Sequence, residues 1–262
     1  MSKGLLDPKV DFVFKNIFGS PNHPEILISF LNATLKAKKK IVNVDIKKTD
    51  IEKQYIEDKY SRLDVKATTS NDEIINIEIQ LKNENNMVKR SLYYLSKMYE
   101  EQLNEKEDYS KLVRTVCINI LNFKYLKTDN FHTGYRFKEI ESNEELTDIM
   151  EVHFIEIPKL QDSSDEKDML VAWTEFLKDP ESEKVRGLEL SIEEIRQAKD
   201  ELIRMSNDST QRELYDMRAN SLRDKMSELN AAERKGIEKG REEGREEGRK
   251  EEKIKIARNM KL

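Results

Sequence analysis

Apolar positions recur with two different periods along this chain, and the changes of period divide it into elements. In DPKVDFVFKNIFG the apolar residues Val10, Phe12, Val13, Phe14, Ile17 and Phe18 fall at helical spacing, ahead of Gly19 as a stop. SPNHPEILISFLNATLKAKKK reads as a second helix, with Pro24 in its first turn and basic residues from Lys36 to Lys40 at its end. IVNVDIKKTDI alternates and predicts a strand. RLDVKATTSNDEIINIEIQLK, residues 62–82, alternates on both sides of a turn and predicts a β-hairpin. NMVKRSLYYLSKMYEEQL returns to helical spacing, with Met87, Leu92, Leu95, Met98, Tyr99 and Leu103 as its apolar face. LVRTVCINILNF is an unbroken apolar run, expected to be a mostly buried strand. Two further strands are predicted near Gly134–Ile140 and Glu151–Ile157, and from Asp165 onward the pattern is helical. Two helices, three strands, a helix, three strands and more helices make a mixed α/β core of about 160 residues with a helical extension.

The end of the chain follows neither period. ERKGIEKGREEGREEGRKEE places Gly236, Gly240, Gly244 and Gly248 four residues apart, and Ile237 is the one apolar side chain in residues 233–252. Such a segment buries no core of its own. As a helix it would pair Glu238 with Arg241, Glu242 with Arg245 and Glu246 with Arg249, each worth about 0.2–0.5 kcal/mol. The four glycines cost about 1 kcal/mol each relative to alanine, which those pairs do not offset. The segment is therefore disordered, or helical with its glycine seam against another backbone. The expected division is 1–160 for the core domain, 161–230 for the helical extension and 231–262 for the charged tail.

Composition narrows the class. Hydrophobic residues make up 37% of the 262 residues and charged residues 38%, so a core is possible only if some segment is nearly all surface. The net charge of −5 is unevenly spread. Residues 1–125 hold 21 Lys/Arg against 18 Asp/Glu, whereas the remainder holds 26 against 34. A polyanion would meet the first part more readily than the second. Cys117 is the only cysteine, which excludes an intrachain disulfide, and its apolar surroundings predict a buried thiol. No run approaches the roughly 18 apolar residues of a membrane span, and MSKGLLDPKV has no signal-peptide core. These features predict a soluble protein of a reducing compartment.

The hairpin poses the chemical question. Asp and Glu are poor strand formers, yet one strand carries Asp64 and the other Glu78, with Gln80 two residues on. A three-residue turn at Ser70, Asn71 and Asp72 sets Thr69 opposite Glu73 and Asp64 opposite Glu78. Opposed Cβ atoms lie about 4.5–5.5 Å apart, close enough for two carboxylates to repel. A shared proton, an intervening Lys or Arg, or a divalent cation would each resolve this. Glu78, Gln80 and Lys82 share one face, Asp64 and Lys66 another strand's side of it, and Ile77 and Ile79 point into the core. Carboxylates with a backbone carbonyl are hard oxygen ligands suited to Mg²⁺. By spacing alone, a solvated polar face explains the same residues.

The pairing of LDV with IEIQ a dozen residues later resembles the Asp…Glu-x-Lys signature of the PD-(D/E)XK nuclease superfamily, with Gln80 in the lysine position. The glutamine variant resembles the Rpn family of recombination-promoting nucleases and putative transposases. DPKVDFVFKNIFG, EILISFLNATL, MVKRSLYYLSKMYEEQL and YSKLVRTVCINILNF are similar to that family in the same order, over roughly residues 5–160. The Gly/Arg/Glu-rich end is also similar to tails seen there. The resemblance implies a restriction-endonuclease-like α/β core, its mixed central sheet flanked by helices, with an α-helical C-terminal extension. It further implies a Mg²⁺-dependent DNA endonuclease, with Mn²⁺ as a substitute, working in the cytoplasm in recombination or mobile-element biology. Carried over residue by residue, Asp64, Glu78 and the Ile79 carbonyl hold the metal, Gln80 takes the lysine position, and Asp11 adds a ligand or orients a water. Arg90 matches a basic position of the family and would contact a phosphate, with Lys82, Lys15 and Lys89 as further DNA contacts.

Each assignment has a plainer counterpart. Asp11 suits the first turn of any helix. Lys82, Lys66 and Lys15, candidates for the charge that Gln80 lacks, are also ordinary surface lysines. Tyr93 and Tyr94 suit packing. His23, His132 and His153 show no metal-ligand spacing and are expected to be structural or surface residues. The rival functions are a nuclease-fold protein that binds DNA or assembles without cutting, and a protein-interaction module built on the C-terminal helices. A homodimer through those helices is compatible with the nuclease.

Overall fold

The structure, a computed structural model, describes residues 4–36, 39–47, 65–165 and 167–259. It forms two compact units, Met1–Tyr215 and Asp216–Leu262. The first contains α1 (Asp11–Phe18), α2 (Pro24–Leu35), β1 (Val44–Lys47), β2 (Val65–Thr69), β3 (Ile74–Gln80), α3 (Met87–Glu100), β4 (Thr115–Leu121), β5 (His132–Lys138) and β6 (Glu145–Glu156). After them come α4 (Met169–Lys178), α5 (Glu183–Glu189) and α6 (Glu193–Asn207). Among the described residues this is the order of elements that the periodicity predicts.

One six-stranded sheet runs in the order β1-β2-β3-β4-β6-β5. β3, β4 and β6 are parallel neighbours, and the outer pairings are antiparallel. The parallel centre explains why TVCINIL does not alternate. All seven residues of β4 are buried because helices cover both faces. α3 is the crossover that a parallel β3–β4 pair requires, and it lies on the face carrying Cys117, Leu121, Val152 and Phe154. Ile75, Ile77 and Ile79 occupy the opposite face. Gly19 closes α1 for want of room: a Cβ there would lie 2.6 Å from the Lys15 carbonyl oxygen and 3.3 Å from Val65 Cγ2.

The hairpin has the expected register. Val65 pairs with Ile77 and Thr68 with Ile74, and Thr69 N donates to the Glu73 carbonyl. Asp72 takes the left-handed conformation the turn needs, at φ 62°. Two expectations are corrected. On α3 the buried side is Met87, Ser91, Tyr94, Leu95 and Met98, while Leu92 is 49% exposed. Ser91 turns inward because a buried polar side chain of β4 awaits it. β6 begins at Glu145, six residues before the predicted strand, because pairing with β5 extends a run whose polar residues give no alternation.

The helices beyond residue 160 complete the same core. Trp173 of α4 is fully buried, edge-on to Phe18 of α1 at 5.3 Å, Phe30 of α2 at 6.5 Å and Phe176 at 6.0 Å. Ile195, Ala198 and Leu202 bury one side of α6, and Leu6 N donates to Ser206 Oγ at its end. The first unit thus continues well past the residue at which the sequence pattern divides the chain.

α7 (Ser209–Asn259) begins in the first unit, and its residues from Asp216 form the second. The described part of the tail is helical, with no backbone against its glycines among the described residues. A Cβ added at Gly236, Gly240, Gly244 or Gly248 would meet nothing within 4 Å. Lys239 and Glu243 pair across one turn at 3.7 Å. Among the described residues no helix is long and apolar enough to cross a membrane.

Candidate active site

β3 fixes the central acid. Ile77 and Ile79 bury on one face of the sheet, which sends Asn76, Glu78 and Gln80 to the other. The sequence reading makes that face a polar stripe backed by an apolar one. The structure makes it an interior surface, because α3 covers it. Asn76 and Glu78 are both 0% exposed. Opposite Glu78 in β4 stands Asn119, also fully buried. Asn119 Nδ2 donates to the His153 carbonyl at 3.1 Å, and its Oδ1 lies 2.8 Å from Ser91 Oγ on α3. These bonds, invisible to periodicity, seat α3 on the strand that neighbours Glu78.

One residue before Ser91, Arg90 reaches down to Glu78, with Nε 3.2 Å from Oε2. Its guanidinium carbon lies 5.3 Å from the centroid of the Tyr94 ring, one turn along. Tyr94 is buried, as packing predicts, whereas Tyr93 is half exposed. Burial pushes the Glu78 carboxyl above its ordinary value, and the attraction and hydrogen bond of Arg90 pull it back only in part. The same burial, with the negative field of Glu78, raises the Cys117 thiol to about 12 and makes it inert. The described partner of Glu78 is therefore a basic side chain from α3.

Arg90 serves one oxygen only. Glu78 Oε1 is buried and has no hydrogen-bond partner among the described residues, and neither has Asn76 Oδ1 on the same face. Asn76 Nδ2 has, among the described residues, the Cys117 sulfur at 3.7 Å. An acceptor oxygen withdrawn from water with no donor is costly, and it fits a site completed by a cation. Among the described residues no group of three or more His, Cys, Asp or Glu side chains is placed to hold a metal ion. Asp64, the expected second carboxylate, lies outside the described residues.

The remaining candidates are distributed around β3. Gln80 ends the strand opposite Leu121 of β4, and Lys82 follows in the bend toward α3. Ile79, whose carbonyl is a candidate ligand, is buried. Asp11 opens α1, its Oδ1 accepting from Phe12 N at 2.7 Å, and Lys15 lies in the last turn of that helix. Lys89 is exposed on α3 beside Arg90. Lys66 sits opposite Asn76 in β2 and 3.9 Å from Glu101. Of the candidates from the sequence, the described contacts bring Glu78 and Arg90 together.

A second polar cluster, on the opposite face, escaped the sequence reading. His132 Nε2 lies 2.9 Å from His153 Nδ1, and His153 Nε2 lies 2.7 Å from Glu151 Oε1. Arg114 bridges Glu73 and Glu151, and Arg136 Nε donates to Glu151 at 2.9 Å. Burial raises the Glu151 carboxyl, but hydrogen bonds from His153, Arg114 and Arg136 outweigh it and bring it to about 2. Burial, then His153, lowers His132 to about 4. Gly134 stands opposite His153, where a Cβ would lie 3.0 Å from the ring. These groups come from residues 73 to 153 and meet only through strand pairing. His132 and His153 both lie within this network, and His23 pairs with Glu25 at 3.1 Å.

Comparison with known proteins gives one family. The model of the PD-(D/E)XK nuclease family transposases matches residues 8–232, most of the chain. No curated protein and no solved structure matches it.

Proposed function

The chain belongs to the PD-(D/E)XK nuclease family transposases, and on that footing we propose that it is a Mg²⁺-dependent DNA endonuclease acting in recombination or mobile-element movement, as its likeness to the Rpn family implies. Glu78 carries the reading: a carboxylate on a central strand, withdrawn from water, with one oxygen unpartnered among the described residues. Asp64, the second carboxylate of the reading, comes from the sequence motif alone and lies outside the described residues.

Asp64, Glu78 and the Ile79 carbonyl would hold Mg²⁺ or Mn²⁺, which when bound supplies a water acidic enough to attack at neutral pH and positive charge beside the phosphate. Gln80 donates a hydrogen bond to that water or to a phosphate oxygen, without lysine's charge. Asp11 orients the water. Lys15, Lys82, Lys89 and Arg90 position the backbone of the DNA through its phosphates. A water oxygen bonds to phosphorus as the bond from phosphorus to the leaving oxygen breaks, the water giving up a proton to solvent and the leaving oxygen taking one from solvent, in one displacement with no covalent enzyme intermediate. The protein works in the cytoplasm as a homodimer through its C-terminal helices, which would present two sites to two strands.

The test is plasmid nicking with Mg²⁺ by wild type, Asp64→Ala and Glu78→Ala. Nicking by wild type alone is expected, and equal nicking by all three removes the assignment. Gln80 in the lysine position, with Arg90 already on Glu78, favours a second reading: a nuclease-fold protein of weak or no activity that binds DNA or assembles. It predicts Mg²⁺-independent DNA binding and no cleavage at any enzyme concentration.

A further inference from the structure

We propose that Arg90 is the positioning cation of this site, supplying from α3 the positive charge that Gln80 cannot supply from β3, and that it competes with the metal for Glu78. The inference rests on the nuclease reading and assigns the missing charge within it. Among the described residues, Arg90 makes the ion pair with Glu78, at 3.2 Å. Lys66 has Glu101 among its partners, at 3.9 Å. A guanidinium carries five N–H donors, and only Nε is engaged by a described acceptor. Its two terminal nitrogens stay available to a phosphate while Nε remains on the carboxylate. The Arg90 side chain is 19% exposed against 1% for Glu78, so the arginine sits between the acid and the surface.

Two consequences follow. Without metal, Arg90 is the cation that pairs with the buried carboxylate among the described residues. A cation held by Glu78 would share the acid with Arg90 and weaken the hold of Nε on Oε2, while the terminal nitrogens would remain for a DNA phosphate. The same side chain therefore weakens metal binding and strengthens cleavage. A residue that only supports the fold would lower both together. A residue that only touches DNA would leave metal affinity alone.

Calorimetric titration of the full chain with Mn²⁺, beside plasmid nicking at saturating Mn²⁺, separates these roles. Arg90→Gln is expected to bind Mn²⁺ roughly tenfold more tightly, the factor that loss of one charged hydrogen bond implies, and to nick more slowly. Arg90→Lys keeps the charge, guards against a glutamine variant that does not fold, and should nick within about tenfold of wild type. Unchanged or weaker Mn²⁺ binding by folded Arg90→Gln, wild-type nicking by it, or a folded but inactive Arg90→Lys overturns the inference while the nuclease reading stands. A wild type that neither binds Mn²⁺ nor nicks DNA removes the reading and the inference with it.

Discussion

Arg90 Nε lies 3.2 Å from Glu78 Oε2, and the other oxygen of that carboxylate has no partner among the described residues. Burial already holds the acid above its ordinary value despite the arginine. Removing the arginine raises it further. Between the unfolded carboxylate value, about 4.3, and the raised folded one, the native state binds more protons, so stability rises as pH falls. Arg90→Ala should therefore lose about 2 kcal/mol near pH 8, less than the roughly 3–5 of a fully buried pair because Arg90 is partly exposed. The loss should shrink toward pH 5. Urea unfolding at both pH values checks this, and an equal loss at both would show that Glu78 does not titrate in that window.

The cluster around Glu151 sets the acid limit of the fold. Glu151 titrates near about 2 in the folded chain, so its contribution is complete above the ordinary carboxylate value and is lost as pH falls toward about 2. His132 is held near about 4, below the free imidazole value of about 6.5, so its contribution is lost earlier, between those two values. Thermal midpoints should decline in two stages on acidification. His132→Gln should flatten the upper stage and Glu151→Gln the lower. Gly134→Ala, which drives a methyl against the His153 ring, should lower the midpoint by disturbing the same chain of bonds.

Helices after residue 160 belong to the core, and removing them exposes it. Trp173→Ala should cost about 3–5 kcal/mol, since the indole fills the space between Phe18, Phe30 and Phe176. A chain ending at residue 160 should lack a cooperative thermal transition. A chain ending at Tyr215, the end of the first compact unit, should keep one. A sharp transition in the shorter chain would show that α4–α6 are dispensable.

Alanine at Gly236, Gly240, Gly244 and Gly248 should strengthen the tail helix by about 1 kcal/mol at each position, because each Cβ would enter open space. Helical circular dichroism should rise and amide exchange in the tail should slow. Sedimentation of the same variant tests the proposed dimer. A dimer that dissociates on alanine substitution places the glycines at a helix–helix contact, and an unchanged mass excludes them from it.

Periodicity alone was enough to read the element order, the hairpin register and the buried strand at Thr115–Leu121, because each depends on residues a few positions apart. Leu92 and Ser91 mark the limit of that reading. Leucine fits an apolar face by spacing and serine does not, yet the helix buries the serine because Asn119, 28 residues away in sequence, needs a donor. The start of β6 was illegible for a related reason: a polar run becomes a strand when β5 lies alongside it.

The amino-acid sequence by itself determined the alternation that turns Glu78 away from Ile77 and Ile79, and it determined the family through an ordered set of motifs. Only the tertiary structure decided what Glu78 meets. Strand parity assigns a side chain to a face, but whether that face sees water or a helix depends on where the crossover lies. Here the parallel pairing of β3 and β4 forces α3 across it, and the acid becomes buried, paired with Arg90 through one oxygen and unpartnered at the other among the described residues.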